Sequence, residues 1–551
     1  MASDNKYDRQ LRLWGAHGQK MLSEAKICLV NASATGAEAL KNLVLPGCGF
    51  ITIVDDARVQ ARDVGNNFFV PADAVGQSRA AVVLTNLLEM NEDVRGEAVE
   101  ESADAALARD AGFFARFSLV ILTQTPYLSD KTTAAVAAAC WDAGVPLILV
   151  RTLGLLGVMR TVVGEHRILE SKPDPQNNNL RIANPWPELR DFAMSIDLSA
   201  MDSHQHGHVP WAVIVIQALA KWRDAHGGAS PRNFAEKEEF WAGVKADSRE
   251  YGAELNFVEA CTGKGNEAFR PPLADRDDEA SERTKALLAD PAAATLTAES
   301  RPFWFIVRAI ADFAEATGEL PVAGSLPDMT STPDMYVSLQ RLYKEKAAAD
   351  CADVRARVAA LLAGVGLPED HVPGEWIPRA CANANFMRLL RTRSLADEAA
   401  AAALDAEAIG EELEELGWTV EDDEERAKVA AQKPFCWYVA LRAADRFTGR
   451  TGRVAGAADE EVEADAAALA EDVAAEKAAA AASMGGLDIP VGADHAAEIA
   501  RYGGAEPHNV AAVLGGVASQ EAVKLITHQY EPLDNTFIFN GITGESAVYR
   551  C

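Results

Sequence analysis

Asn31, Ser33 and Gly36 follow an apolar run, AKICLV, and open a helical one, AEALKNLVLPG, that leads into a second apolar run, FITIVDD. Strand, tight turn, helix and strand in that order make the crossover that holds phosphates in dinucleotide and ATP folds, where the turn reads G-x-G-x-x-G. The first glycine makes the turn, the second lets backbone approach the phosphates, and the third packs helix on strand. Here only the packing glycine, Gly36, is kept. Asn31 and Ser33 stand in the two slots that serve a ligand. The pattern predicts a scaffold kept for its fold rather than for catalysis of its own.

Other residues could do chemistry by type and spacing. His204, His206 and His208 alternate in SHQHGHVPW, and two-residue spacing on an extended strand can chelate a metal. The nearby carboxylate is Asp202 and no cysteine is close, so the segment predicts a loop leading into the VPWAVIVI helix and no metal. The eight cysteines (28, 48, 140, 261, 351, 381, 436 and 551) contain no C-x-x-C pair. Neither a zinc site nor a disulfide framework is indicated, which points to a reduced cytosolic or nuclear compartment. Tyr7-Asp8-Arg9-Gln10 opens an amphipathic segment, YDRQLRLWGAHGQKML. By itself it predicts a helix whose Leu11, Leu13 and Trp14 pack on a sheet while Arg9 points to water.

The elements that must position these residues come in three styles. The 551 residues predict about two to four domains. Residues 1–168 alternate helix and strand: after the crossover come a polar loop at 57–67, the helix SRAAVVLTNLLEMN, the apolar strand FSLVILTQT, the helix DKTTAAVAAACWDAG, and the strands VPLILVRTLG and RTVVGEH. Continuous apolar runs are the mark of parallel strands buried on both faces, so this is a doubly wound α/β domain. Near Ser171 the style changes, and residues 169–500 read as a mainly helical insertion with apolar residues at three- and four-residue spacing. Within it, the acidic and Ala-rich stretches at 409–426 and 456–483 predict solvated helix or mobile loop. From 501 to 551 a helix, EPHNVAAVLGGVASQEAVKLITHQY, precedes a strand pair, NTFIFNGITGESAVYR. That is too little to form a core alone, so it returns to complete the first sheet.

Net charge is −30, which argues against nucleic acid or an anionic membrane as partner, since both need basic surfaces. No apolar run approaches the length of a membrane helix, and the first fifteen residues carry no secretory or transit signature.

YDRQLRLWG, the crossover, KNLVLPG and GNNFFV resemble the adenylation half of the ubiquitin-activating-type enzymes, and the resemblance extends to the C-terminal EPHNVAAVLGGVASQEAVKLIT. Through NPWPELRDF, HVPWAVIVIQALAKW, RSLADE and ALRAADRF it also covers the helical middle. It is strongest to the regulatory subunits of the heterodimeric neddylation-activating (Rub-activating) enzymes. The resemblance implies a Rossmann-like pseudo-adenylation domain split by a large helical insertion. In active members, it implies an intact glycine turn, a ribose-binding aspartate, a phosphate-binding arginine, a lysine and a magnesium-binding aspartate.

Position by position, this chain keeps Asp55 where the ribose contact would be. Asn66 stands where the phosphate-binding arginine should be, and Arg79 replaces the lysine, keeping charge but losing compactness. The magnesium-binding strand end reads Thr123-Gln124-Thr125, so the acid that would help neutralise ATP is missing. Cys261-Thr262 matches the family's catalytic Cys-Thr pair, but its context is Glu-Ala-Cys-Thr-Gly rather than Pro-x-Cys-Thr. Glu259 beside it would oppose a thiolate.

The resemblance therefore implies a chain that binds no cofactor itself and pairs with a homologous catalytic subunit holding ATP, Mg²⁺ and the thiol. Further implied partners are a Nedd/Rub ubiquitin-like modifier and, through the complex, a conjugating enzyme. Arg9 would reach the phosphates bound in the opposing subunit. Two other readings stand beside it: a self-sufficient activating enzyme using Cys261, and a non-enzymatic adaptor. The small subunit of the SUMO-activating enzymes would carry a far shorter insertion.

Overall fold

The computed structural model describes residues 6–123, 130–171, 180–400 and 405–551. The chain divides into two compact units, Met1–His166 with Leu389–Cys551, and Arg167–Arg388.

The first unit is built on an eight-stranded sheet. Its strands are β1 (Lys26–Val30), β2 (Phe50–Val54), β3 (Arg95–Val99), β4 (Leu119–Thr123), β5 (Leu147–Leu153), β6 (Leu156–Val162), β7 (Thr536–Asn540) and β8 (Glu545–Tyr549), in the spatial order β8-β7-β6-β5-β4-β1-β2-β3. From β3 to β5 the pairing is parallel, with Cys28 of β1 opposite both Thr52 of β2 and Val120 of β4. β6, β7 and β8 continue the sheet antiparallel. The strand order reverses between β1 and β4. In a doubly wound sheet the crevice at that switch point, beyond the carboxyl ends of the strands, is where ligands bind.

The labelled helices of this unit are α1 (Asp8–Glu24), α2 (Ala34–Val44), α3 (Arg79–Leu88), α4 (Asp130–Ala143), α5 (Pro434–Thr451), α6 (Val462–Ser483), α7 (Ala493–Tyr502) and α8 (His508–Thr527). One face of the sheet buries Leu29, Ile51 and Ile148 against Leu40 and Leu43 of α2 and Leu514 and Ala518 of α8. The opposite face carries Phe113, Phe114 and α4, with Val136 and Ala137 among the buried residues. Gly36 does what a packing glycine must: a Cβ there would lie 2.8 Å from Leu29 Cδ1 and 2.9 Å from Thr123 Cγ2. By length and composition α8 could span a membrane, contrary to the sequence expectation. About two thirds of its apolar window is buried, as in a core helix.

The domain boundaries differ from those expected. The helical insertion ends at Arg388 rather than at residue 500, and the return begins at Leu389 rather than 501. Helices α5, α6 and α7 pack on the antiparallel end of the first sheet: Phe435, Trp437, Leu469, Val473 and Ile499 share one core with Leu156, Ile538 and Tyr549. A helical period says that a face is buried, not which sheet buries it. The Ala-rich stretch at 456–483 is likewise no solvated appendage. In α6, Leu469 and Val473 are buried, while Asp472 pairs with Arg446 and Arg450 of α5 at 3.3 and 2.8 Å and Glu476 pairs with Arg442 at 3.2 Å. The stretch at 409–426 spans most of one helix, Ala406–Thr419, and the start of a second, Asp423–Ala431, with Ile409 buried and Trp418 exposed.

The second unit is mainly helical. Trp211, Ile214 and Leu219 of the VPWAVIVI helix (Trp211–Ala225) pack with Phe257, Leu339 and Tyr343, and the Tyr343 hydroxyl donates to the Leu180 carbonyl at 2.5 Å. A buried ion pair joins Arg276 to Glu319 at 2.7 Å.

The close approach of α8 to α2 is testable. A Cβ on Gly515 of α8 would lie 2.6 Å from Glu38 Cβ and 2.8 Å from the Ala39 amide of α2, whereas one on Gly516 meets nothing within 4 Å. Gly515→Val should destabilise the first unit by about 1–3 kcal/mol or more through overpacking. Gly516→Ala should be neutral or gain up to about 1 kcal/mol of helix propensity. Apparent Tm values of the two variants moving together would contradict this packing.

Candidate functional site

The switch point holds the turn between β1 and α2. Its first residue, Asn31, has φ +68°, the left-handed conformation that the tight-turn glycine normally supplies. Asparagine is among the few other residues that adopt it readily. Unlike glycine it brings a side chain: Nδ2 donates to the Thr123 carbonyl at 3.0 Å, and Oδ1 accepts from Arg79 Nη2 at 2.5 Å. The turn is thus preserved while its space is filled.

Ser33 caps α2, its Oγ accepting from the Gly36 amide. The first amides of a helix have no partners within it and carry the positive end of the helix dipole, which makes this turn a natural seat for a phosphate. In this chain the seat is taken. Glu506, in the strap between α7 and α8, places Oε1 2.8 Å from Ser33 Oγ and 2.6 Å from Thr35 Oγ1, and Oε2 accepts from the Ala34 amide at 3.2 Å. Thr35 Oγ1 also lies 2.9 Å from Thr152 Oγ1, which ties the seat to the end of β5. Burial pushes the Glu506 carboxyl above its ordinary range, with the bonds from Thr35 and Ser33 opposing the shift.

Asp55, at the end of β2, is equally occupied. Its carboxylate accepts from the Ala32 and Ala57 amides, both at 2.9 Å, and from Arg79 Nε at 2.7 Å. Arg79, the first residue of α3, is largely buried and also faces Asp63 at 3.6 Å. The guanidinium in the lysine position is therefore spent on Asp55, Asn31 and Asp63. Asn66 is exposed and takes no part in this cluster, whereas its neighbour Asn67 is buried and donates to the Ala32 carbonyl at 3.2 Å. Thr123 Oγ1 donates to the Asn31 carbonyl at 2.5 Å. Gln124 lies outside the described residues.

The structure places Asn31, Ser33, Gly36, Asp55 and Arg79 around one turn and adds Glu506, which stands 473 residues after Ser33. The Glu-Pro pair at the start of α8 was the one local sign, and it reads as a helix entry.

The other expected residues lie apart from this cluster. Arg9 is exposed in the first turn of α1. Trp14 is buried and donates to Gln19 Oε1 at 3.0 Å, but Leu13 is 53% exposed and does not anchor the segment as its spacing suggested. α1 kinks at Gly15, where φ is +70°. Tyr7 holds the start of the helix, donating its hydroxyl to Asp93 at 2.7 Å. In the second unit, Cys261 is half-buried after the short helix Leu255–Ala260, and burial pushes its thiol up against the opposing influence of Tyr251 and Lys245. Glu259 accepts from the Thr330 amide at 3.0 Å.

The histidine segment is a short helix, Ser203–His206, rather than a loop. His206 Nδ1 meets Glu254 at 2.6 Å in the interior, while His204 and His208 stack on each other. The Asp202–Gln205 capping box closes the turn and spends the carboxylate. Among the described residues no group of three or more His, Cys, Asp or Glu side chains could hold a metal ion.

A doubly wound sheet with a phosphate-type crossover and an antiparallel extension carries the match to a known family: the chain belongs to the ThiF family, whose pattern matches residues 7–550. Over its full length it is 39% identical to the NEDD8-activating enzyme E1 regulatory subunit of Danio rerio, covering 100% of this chain and 99% of that one. It is 38% identical to the protein of the same name from Xenopus laevis, covering 99% and 98%, and 37% identical to the NEDD8-activating enzyme E1 regulatory subunit AXR1 of Arabidopsis thaliana, covering 99% and 96%.

The donors at the switch point that would face the phosphates of a nucleotide are already engaged within the chain. The amides of Ala32 and Ala34 are bonded, a carboxyl sits in the phosphate seat, and Arg79 is committed to Asp55.

Two outcomes follow. Because the folded pKa of Glu506 is raised, the folded state holds this proton more tightly than the unfolded state. Its contribution is present below the ordinary glutamate range and is lost as pH rises through the folded value. The apparent Tm of Glu506→Gln minus that of wild type should therefore increase with pH above the ordinary glutamate range. A difference that falls with rising pH would contradict the assignment. Cys261 should react with iodoacetamide at pH 7.5 more slowly than an unperturbed cysteine; faster labelling would show an activated thiol.

Proposed function

We propose that this chain is the regulatory, non-catalytic subunit of a dimeric enzyme that activates a ubiquitin-like modifier of the NEDD8 (Rub) class. The reading rests on one observation: the donors of its phosphate seat are consumed by its own side chains, Glu506 above all. Full-length similarity to regulatory subunits gives the class of the complex. A homologous catalytic subunit would hold ATP and Mg²⁺, adenylate the C-terminal glycine of the modifier, and accept it as a thioester on its own cysteine. This chain would supply the matching half of the dimer, and the complex would then engage a conjugating enzyme in the cytosol or nucleus.

Arg9 is the residue of this chain proposed to act on the reaction. It is a solvent-facing cation at the entry of a helix held from below by Tyr7 and Trp14. Placed against the partner's nucleotide, its guanidinium would meet the charge that builds on the phosphates during adenylation.

ATP–pyrophosphate exchange should be absent from this chain alone and appear when it is combined with its catalytic partner. Exchange by the isolated chain would establish a self-sufficient enzyme instead, and failure to co-purify with any such partner would establish an adaptor. Arg9→Ala should slow adenylation by the assembled pair by about 2–4 kcal/mol of transition-state stabilisation without dissociating it. Exchange at the wild-type rate would make Arg9 an ordinary surface arginine. Cys261→Ala should leave the modifier thioester intact on a non-reducing gel, with the linked species migrating as the partner.

A further inference from the structure

The sheet face turned away from α2 and α8 carries a cavity. Strand alternation sends Ile148 and Val150 of β5 into the core with α2 and α8, and Leu149 and Arg151 to the other side. Register then sets Leu149 beside Arg160 of β6, Arg160 beside Thr536 of β7, and Arg151 beside Val158. These five residues floor a space of about 610 Å³ within the first unit. α4 lines it with Ala134, Ala138 and Trp141, α5 with Tyr438 and Leu441, and the short helix Leu395–Ala400 with Leu395. A void of that size is no packing defect. It falls in the range of small-molecule sites, which are mostly apolar with a few placed polar groups.

The charges around this space are matched within the protein. Arg151 pairs with Asp445 of α5, and Arg160 pairs with Glu398, which also accepts from the Tyr438 hydroxyl at 3.0 Å. Arg442 and Arg446 of α5 meet Glu476 of α6 at 3.2 and 3.5 Å. An anion entering the cavity would therefore compete with a carboxylate already in place at each arginine. One donor is unspent: Arg160 is 6% exposed, and among the described residues its Nε has no hydrogen-bond partner. A buried N–H without an acceptor is costly, and an acceptor reaching this guanidinium would relieve the cost. Ala134 and Ala138 are both exposed and stand one helical turn apart on α4, so the wall they form leaves the space open.

We propose that this cavity is a binding site for an uncharged, largely apolar small molecule whose hydrogen-bond acceptor meets the Arg160 guanidinium. The site lies across the sheet from the α2 turn and goes beyond the partner-subunit reading, since its occupation requires neither a partner nor a nucleotide.

Nile red, an uncharged fused-ring dye with a ring carbonyl, is titrated into the full chain and followed by its fluorescence. Wild type should give a saturable rise at one dye per chain. Ala138→Trp, which places an indole in the cavity from its open wall, should abolish that rise. Ala134→Trp, one turn away on the same helix, should do likewise and guards against misfolding of either variant. Ala242→Trp adds the same indole at an exposed position of the helix Phe234–Ala246 in the second unit and should bind as wild type does. Arg160→Lys keeps a cation for Glu398 but has no Nε–H, and should weaken binding about threefold or more, the worth of one net hydrogen bond. Anilinonaphthalene sulfonate, apolar but anionic, should not displace the dye at equal concentration. No saturable binding by wild type, undiminished binding by both cavity-filling variants, wild-type affinity in Arg160→Lys, or displacement by the sulfonate would overturn the proposal.

Discussion

The amide groups in the first turn of α2 need partners that the helix itself cannot supply. A catalytic relative of this fold would leave them for phosphates. Here Asp55 takes the amide of Ala32 just before the helix, Ser33 caps Gly36, and the Glu506 carboxyl takes Ala34 with the two hydroxyls beside it. The hydrogen bonds made around this turn tie four remote pieces of chain to one point: the end of β2, the start of α3 through Arg79, the buried end of the 57–67 loop through Asn67, and the strap before α8. Donors that face the crevice of the doubly wound sheet are thereby taken by the molecule's own polar groups. The close seam of α2 and α8 at Gly515 lies on the same two helices, so the filling of the site and the joining of the N- and C-terminal parts of the sheet are one construction.

The way this closure is made separates it from mere loss of residues. Asn31 keeps the left-handed backbone that the turn requires and uses its amide to bond strand end and guanidinium. Arg79 keeps a positive charge in the lysine position but is held by two carboxylates. A buried ion pair of this kind stabilises little relative to an apolar replacement, yet removing one partner strands the other.

Much of this was legible in the sequence where the signal is local. The turn residues could be read because glycine has a stated task at each of three slots a few positions apart, and the parallel strands because buried runs are continuous. Glu506 could not be read, since nothing in Ala-Glu-Pro-His reveals that its side chain reaches a turn 473 residues earlier. The extent of the helical insertion failed for a related reason. α5, α6 and α7 carry the same periodicity as the helices of the second unit, and periodicity carries no address. In α6 the acidic residues looked like a solvated face, but Asp472 and Glu476 are matched by arginines four residues apart on α5. The histidine spacing suggested an extended chelate, whereas an Asp202 cap bends the segment into a helical turn that sends His206 inward.

If the chain's own side chains stand in the place of a nucleotide, calorimetric titration of Mg-ATP into the isolated chain gives no saturable heat at micromolar to millimolar nucleotide. A stoichiometric, micromolar isotherm would show instead that the seat is open.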